Sequence, residues 1–304
     1  MQAMVLAAGY GTRLKPFSLC RPKPLFPILN TPLLLATLER LQHSGFTTQA
    51  LNCCHLSEQI VAATQHVPGL IIQEEQSILG TGGGIRQMLP KISAEPLLVT
   101  NGDIYHSIDF QTIYEQHCSS DAPISLVLHN YPRFNNVNVS ENTIVGFGKT
   151  SRGSSDQLAY TGIQIVEPAI LKGIQPGVYS CIIEYYRSLL ADGVQLNAII
   201  IDDCFWTDMG TPADYLQLHE DLLIGNAPVW AELEAKNIEP FFSSDQAVID
   251  QSCRFADWAC IGRARVGRDV VVKRSVVWDD AQINDGTEIS EAIIIPEMYK
   301  SPGY

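Results

Sequence analysis

The sequence is short of charge, and shortest of positive charge. Charged residues make up 17% of 304, with 20 Lys and Arg against 33 Asp and Glu, a formal net charge of −13. A surface of that sign repels a phosphate backbone, which excludes duplex nucleic acid as a general partner. Small anions stay open only where basic side chains gather in one cleft. Long hydrophobic runs are also absent: Leu33-Leu34-Leu35 and Ile199-Ile200-Ile201 fall far below the ~18 residues of a bilayer span. The first apolar stretch, Ala3 to Ala8, has no basic n-region before it and suits a strand better than a secretion signal. Eight cysteines include no C-x-x-C pair, and seven histidines show no metal-ligand spacing. Neither a Ser-His-Asp nor a Cys-His arrangement is readable, and Cys53-Cys54 beside His55 follows an apolar run that suits packing. Glycine is not in excess, which excludes collagenous and low-complexity chains. These absences predict a cytoplasmic, reduced, membrane-free globular protein with room for about two domains.

What is present begins with alternation. Apolar, strand-like runs recur at Ala3–Ala8, Thr48–Cys53, Leu70–Gln73, Leu97–Asn101, Ile124–Leu128, Thr161–Val166 and Ala198–Ile201. Helical stretches lie between them. One is predicted from Thr31-Pro32 to just before Gly45, others over Gly82 to Leu89 and Ser180 to Leu190. Strand and helix in repetition predict an α/β fold, a Rossmann-like, mainly parallel mixed sheet with helices on both faces. Ligands of such sheets bind beyond the carboxyl ends of the strands. After Gly225 the pattern changes. Val277, Ile283, Ile289 and Ile295 stand six apart with turn residues between them, a spacing no helix face explains. It predicts short parallel strands in about three coils of a small β-solenoid. The division read from the chain is a first domain over 1–225, a connector over 226–245 and the coils over 246–304.

The chemistry concentrates where the first strand ends. Leu6-Ala7-Ala8-Gly9-Tyr10-Gly11-Thr12-Arg13-Leu14-Lys15-Pro16 runs from a buried strand into a glycine loop whose N–H groups can approach phosphate. Leu14 stands where the dinucleotide fingerprint needs its third glycine, and no G-x-x-x-x-G-K-[ST] match exists. Arg13 and, ten residues on, Lys23 in Arg21-Pro22-Lys23-Pro24-Leu25 supply two cations, enough for several phosphates of one triphosphate. Asp103, in Asn101-Gly102-Asp103, ends one strand run, and Asp208 follows Trp206 near another. Two such carboxylates suit one Mg²⁺, which takes oxygen ligands and keeps waters and phosphate oxygens around it. Asp202 and Asp203 compete for the second place.

Taken together the motifs resemble the signature of the sugar-1-phosphate nucleotidyltransferases. L-A-A-G-x-G-T-R-L-x-P and R-P-K-P-L are followed in order by Leu79-Gly80-Thr81-Gly82-Gly83-Gly84, Asn101-Gly102-Asp103, Tyr160-Thr161-Gly162-Ile163 and Trp206-Thr207-Asp208-Met209-Gly210-Thr211-Pro212. The resemblance covers about residues 1–225, and the hexad array is similar to the left-handed β-helix of several family members. It implies Mg²⁺-dependent transfer of a nucleotidyl group from a nucleoside triphosphate to a sugar 1-phosphate, releasing pyrophosphate. Asp103 and Asp208 would hold the metal. Arg13 would hold the leaving phosphates, with Lys23 closer to the reacting ones. Leu6, Ala7, Ala8, Gly9, Gly11, Thr12, Thr81, Gly82, Gly83 and Asn101 would complete the nucleotide site, the glycines letting the base lie against the backbone. Tyr160, Thr161 and Gly162 would meet the sugar phosphate, as would Lys149, aligned with a family F-x-E-K-P lysine although Gly148 and Thr150 replace its glutamate and proline.

Two questions stay open at this point. A silent homologue that senses or scaffolds is the alternative to an enzyme, although Arg13, Lys23, Asp103 and Asp208 are all intact. The triple glycine is similar to N-acetylmuramate 1-phosphate uridylyltransferases, while the hexad tail is similar to mannose-1-phosphate guanylyltransferases, and glucose 1-phosphate with UTP or dTTP is a third pairing. Finally, residues 254–274 hold Arg254, Arg263, Arg265, Arg268, Lys273 and Arg274 against Asp257 and Asp269. That local excess predicts either a solvated solenoid face or a contact with an acidic surface of a second subunit, giving a homodimer through the C-terminal region. All the residues assigned to chemistry precede Leu223, so a chain cut after Gly225 is expected to keep it.

Overall fold

A computed structural model describes residues 1–148, 156–233, 235 and 238–296. The chain forms two compact units, one of residues 1–9 and 38–206, the other of residues 10–37 and 207–304. This division differs from the linear one, because residues 10–37 leave the first strand and pack with the C-terminal part.

The first unit is built on a nine-stranded sheet. Its strands are β1 (Gln2–Leu6), β2 (Thr48–Cys53), β3 (Ile71–Glu74), β4 (Leu97–Asn101), β5 (Ile124–His129), β6 (Val137–Ser140), β7 (Thr143–Phe147), β8 (Asp156–Val166) and β9 (Asn197–Ile200). They lie in the order β3-β2-β1-β4-β8-β5-β9-β7-β6. β3, β2, β1 and β4 are parallel, β8 runs antiparallel between β4 and β5, and β9 is parallel to β5. β7 is antiparallel to both β9 and β6, so the sheet is mixed, with seven of its nine strands sharing one direction and β7 and β8 opposed to them. Period-two alternation sets its faces. Ile124, Leu126 and Leu128 enter one core with Ile85, Met88, Ile182, Tyr186 and Leu189 of the helices Gly80–Met88 and Ile182–Ala191. Ser125, on the opposite face, meets Nδ1 of His117 at 2.8 Å on the helix Phe110–Cys118. Both faces carry helices.

The second unit begins with the loop and the R-P-K-P-L segment. Thr31-Pro32 does not open a helix as predicted. Leu29 and Asn30 are both left-handed (φ 45 and 68), the turn that closes a two-residue hairpin between Pro27–Ile28 and Thr31–Pro32. The helix starts one residue later and runs over Leu33–His43. A helix over Pro212–Leu223 has Thr211 as its N-cap, the hydroxyl accepting from Asp214 N at 3.2 Å. Beyond it, short parallel strands stack in ladders. Val248, Arg265 and Gln282 are in register, as are Arg254, Val271 and Glu288, so one coil takes 17 residues, close to three hexads. Val277, Ile283, Ile289 and Ile295 are all buried, as their spacing predicts. Among the described residues no helix is long and apolar enough to cross a membrane.

Candidate active site

In the first unit the carboxyl ends of β1, β2 and β4 are level, Leu6 lying beside Asn52 and Asn101. Gly102 N donates to Leu6 O at 2.9 Å, which turns the chain out of β4 and presents Asp103 half-buried past the sheet edge. Ala7 and Ala8 are buried and Gly9 is exposed. Gly162 bulges β8 with φ 85, and a Cβ there would stand 2.6 Å from Asn101 Nδ2. Only glycine lets these two motifs approach. Thr161 is fully buried. Its hydroxyl donates to Val127 O at 2.8 Å, and its carbonyl accepts from the Trp206 indole at 2.8 Å. Thr161 therefore builds the edge from behind, while Tyr160 is half-buried beside it.

The triple glycine has a packing reason as well. A Cβ on Gly82 would meet Ser180 Oγ at 2.8 Å, on Gly83 the Val178 carbonyl at 2.7 Å, and on Gly84 Asn52 Nδ2 at 2.7 Å. The amides of Gly82 and Gly83 donate to Ser180 O at 2.8 and 3.3 Å. Thr81 is exposed, its hydroxyl accepting from Ile182 N at 3.0 Å. The helix they open is held by a residue that sequence reading passed over. Glu75 is buried, and its carboxylate accepts from Asn52 Nδ2 at 2.7 Å, Leu79 N at 3.0 Å and Gln73 Nε2 at 3.4 Å. Asn52 Oδ1 accepts in turn from Ala7 N at 3.1 Å. One buried carboxylate thus ties the end of β1 to the start of the glycine helix. Its only sequence signal was an acid two residues past a buried strand run. Burial, with Glu74 and Glu75 adding, pushes the Cys53 thiol up to about 12, so it packs and is no nucleophile. Asp202 and Asp203 are exposed. Lys149 lies outside the described residues.

In the second unit Gly11 (φ 60) caps a short turn over Thr12–Leu14, with Leu14 buried as its anchor and Thr12 and Arg13 exposed. Arg13 Nη2 stands 3.5 Å from Asp208 Oδ2, side chains 59% and 19% exposed. A Cβ on Gly210 would meet both Arg13 Nη1 and Asp208 Oδ2 at 2.8 Å, so glycine keeps the space the pair occupies. Lys23 is buried, a rare place for a lysine, and flanked by Pro22 and Pro24. Among the described residues no group of three or more His, Cys, Asp and Glu side chains gathers as a metal cage. Asp103 in the first unit and Asp208 in the second each offer oxygen donors only. That chemistry fits Mg²⁺, which is bound by one or two carboxylates together with substrate phosphates.

A family model described as nucleotidyl transferase matches residues 2–224. The mannose-1-phosphate guanylyltransferase of Mycobacterium tuberculosis is 29% identical, the match covering 97% of this chain and 83% of that protein. The N-acetylmuramate alpha-1-phosphate uridylyltransferase of Neisseria meningitidis is 32% identical over 58% of this chain and 80% of its own length. Among solved structures, HddC from Yersinia pseudotuberculosis complexed with GMP-PN superposes with a TM-score of 0.60 at 23% identity, over 72% of this chain and 98% of that one. This last likeness is one of fold.

Proposed function

This chain belongs to the nucleotidyl transferase family as a sugar-1-phosphate nucleotidyltransferase, and we propose how its residues divide the reaction. An oxygen of the sugar 1-phosphate attacks the α-phosphorus of a nucleoside triphosphate. The bond from α-phosphorus to the bridging oxygen breaks, and pyrophosphate leaves with the electron pair. The nucleophile is already anionic, so no protein base is needed and the task is placement and charge neutralisation. Arg13, with the loop from Gly9 to Thr12, holds the leaving phosphates, and Lys23 neutralises charge nearer the α-phosphate. Leu6, Ala7, Ala8, Thr81, Gly82, Gly83 and Asn101 line the nucleotide, and Tyr160, Gly162 and Lys149 serve the sugar phosphate. Asp103 and Asp208 would hold the metal, and Mg²⁺ there would supply positive charge against the phosphate oxygens. The observation that supports this reading is the Arg13–Asp208 pair, a guanidinium and a carboxylate side by side in a space kept by Gly210.

For the substrate we favour mannose 1-phosphate with GTP, because the relative so named matches 97% of this chain, its C-terminal coils included. N-acetylmuramate 1-phosphate with UTP is the second reading, supported by the 32% identity of that relative and the triple glycine. The coils are read as a left-handed β-helix from the resemblance and as a homodimer contact because, among the described residues, strands Glu288–Ser290 and Ile293–Ile294 pair on one side only. Pyrophosphate release from GTP, UTP, dTTP, ATP and CTP, each with mannose, N-acetylmuramate and glucose 1-phosphates, tests the assignment. GTP with mannose 1-phosphate should give the highest rate. Silence of folded, Mg²⁺-supplied protein across the panel would favour a scaffold instead.

A further inference from the structure

The segment that carries Lys23 is short of structure of its own, with one turn over Lys23–Leu25 and a two-residue hairpin. Its rigidity comes from elsewhere in its unit. Trp278, on the C-terminal coil, is 1% exposed and sits among residues on both sides of Lys23. The Arg21 guanidinium lies 4.7 Å from its ring centroid, Phe26 packs edge-on at 4.8 Å and Phe17 tilts against it at 6.3 Å. Its indole N–H donates to Tyr215 Oη at 3.1 Å, and that hydroxyl donates to Pro27 O at 2.5 Å. One coil earlier, Asn30 Nδ2 donates to Ile261 O at 2.9 Å. Residues 21, 26, 27 and 30 are thus fixed by the C-terminal part, and Lys23 lies between them.

Resting on the role given to Lys23 above, we infer that Trp278 is a positioning residue for Lys23, making the second coil part of the catalytic apparatus. Pro22 and Pro24 fix φ on either side of the lysine and its side chain is buried, so a shift at Arg21 or Phe26 is carried to the Lys23 backbone and the packing around its stem. Misplacing a catalytic group by about 1 Å can cost ~10²-fold in rate. The chain cut after Gly225, expected from sequence to keep its chemistry, would lose both supports.

Four full-length variants test this: Trp278→Ala, Trp278→Phe, Ile283→Ala and Lys23→Gln. Ile283 is buried in the coil interior and supplies a loss of tail packing away from Trp278. Trp278→Ala should lower kcat about 10- to 100-fold with KM for the sugar phosphate within about threefold. Trp278→Phe should recover most of that rate. Ile283→Ala should lower Tm comparably yet hold kcat within about twofold. Amide exchange over residues 21–30 should rise in Trp278→Ala and not in Ile283→Ala. Equal kcat, or equal exchange, in the two alanine variants overturns the inference. Undiminished kcat in Lys23→Gln overturns instead the role of Lys23, and the exchange result still reports whether Trp278 holds the segment.

Discussion

The basic residues of the motif segment and those of the C-terminal coils meet their acids differently. Arg263 pairs with Asp280, Arg268 with Asp285 and Arg274 with both Asp257 and Glu291, each at a separation of 17 residues, one coil. Lys273 reaches Asp257 at 3.3 Å. Four of the six basic side chains over residues 254–274 are answered by acids of the same chain, and these four do not call for an acidic second subunit. Arg254 and Arg265 are exposed, so the dimer proposal keeps those two cations and the edge of the ladder. Arg13 has Asp208 at a loose 3.5 Å, and Lys23 is buried between prolines. Charges that close a ladder at short range are structural. A guanidinium held loosely near one carboxylate, with space kept around both, is poised for a ligand.

The comparison breaks if the acid beside Arg13 is no more costly to remove than an acid beside Arg268. Asp208→Asn keeps the size and removes the charge that would hold Mg²⁺. Steady-state pyrophosphate release should fall at least ~10²-fold, while calorimetry shows triphosphate binding partly retained. Asp285→Asn should turn over at the wild-type rate. Near-normal turnover in Asp208→Asn would return the second ligand to Asp202 or Asp203.

Acid sharpens the same contrast. His219 is fully buried in the second unit, its Nε2 accepting from Leu29 N at 3.4 Å and its Nδ1–H donating to Tyr215 O at 3.0 Å. Burial pulls it down to about 4, against hydrogen bonds to carbonyls that favour the charged form. The unfolded chain then binds the extra proton first, so stability is full above pH 6.5 and falls as pH drops from 6.5 to about 4. The loss approaches roughly 3 kcal/mol at the lower end. In the coils the sign is the same but the window lies lower: Arg274 and Lys273 hold Asp257, and the Arg268 N–H and guanidinium hold Asp285, below the ordinary carboxylate value of 3.8, so what they contribute is lost only in stronger acid. Those pairs stay charged across that window. Urea unfolding at pH 7 and pH 4.5 should therefore show a drop that His219→Gln reduces and Asp285→Asn does not.

How far the sequence disclosed this depended on range. Thr48–Cys53 and Leu97–Asn101 are strands with the predicted bounds, since local apolar runs decide them. The hexad residues are buried because six-residue spacing is itself a coil geometry. The helix Pro212–Leu223 went unread behind its motif, although Thr211 and Pro212 are an N-cap and first-turn signal. Glu75 and Trp278 could not be read, because their partners lie at Leu79 and Asn52, and at Arg21, Phe26 and Tyr215, and tertiary packing alone joins them. The ladder lies between these cases. Opposite charges 17 apart are visible in the sequence once the coil length is known, and the coil length came from strand register.

The smallest effect expected is the one that completes the comparison. Arg268 is 72% exposed, and its guanidinium meets Asp285 through Nε at 3.1 Å and Nη2 at 3.0 Å. The geometry is good, but water screens the pair and holding two long side chains together costs entropy. Asp285 also accepts the Arg268 backbone N–H at 2.8 Å, which a side-chain truncation leaves in place. Arg268→Ala should therefore shift Tm by no more than about two degrees, with kcat and KM unchanged. In 0.5 M NaCl even that difference should shrink, because the Debye length there is only about 4 Å. Differential scanning fluorimetry at low and high salt, paired with a steady-state assay, reads both quantities. A loss of turnover in Arg268→Ala would mean the ladder does more than fasten one coil to the next, and the line between structural and ligand-seeking cations would have to be drawn elsewhere.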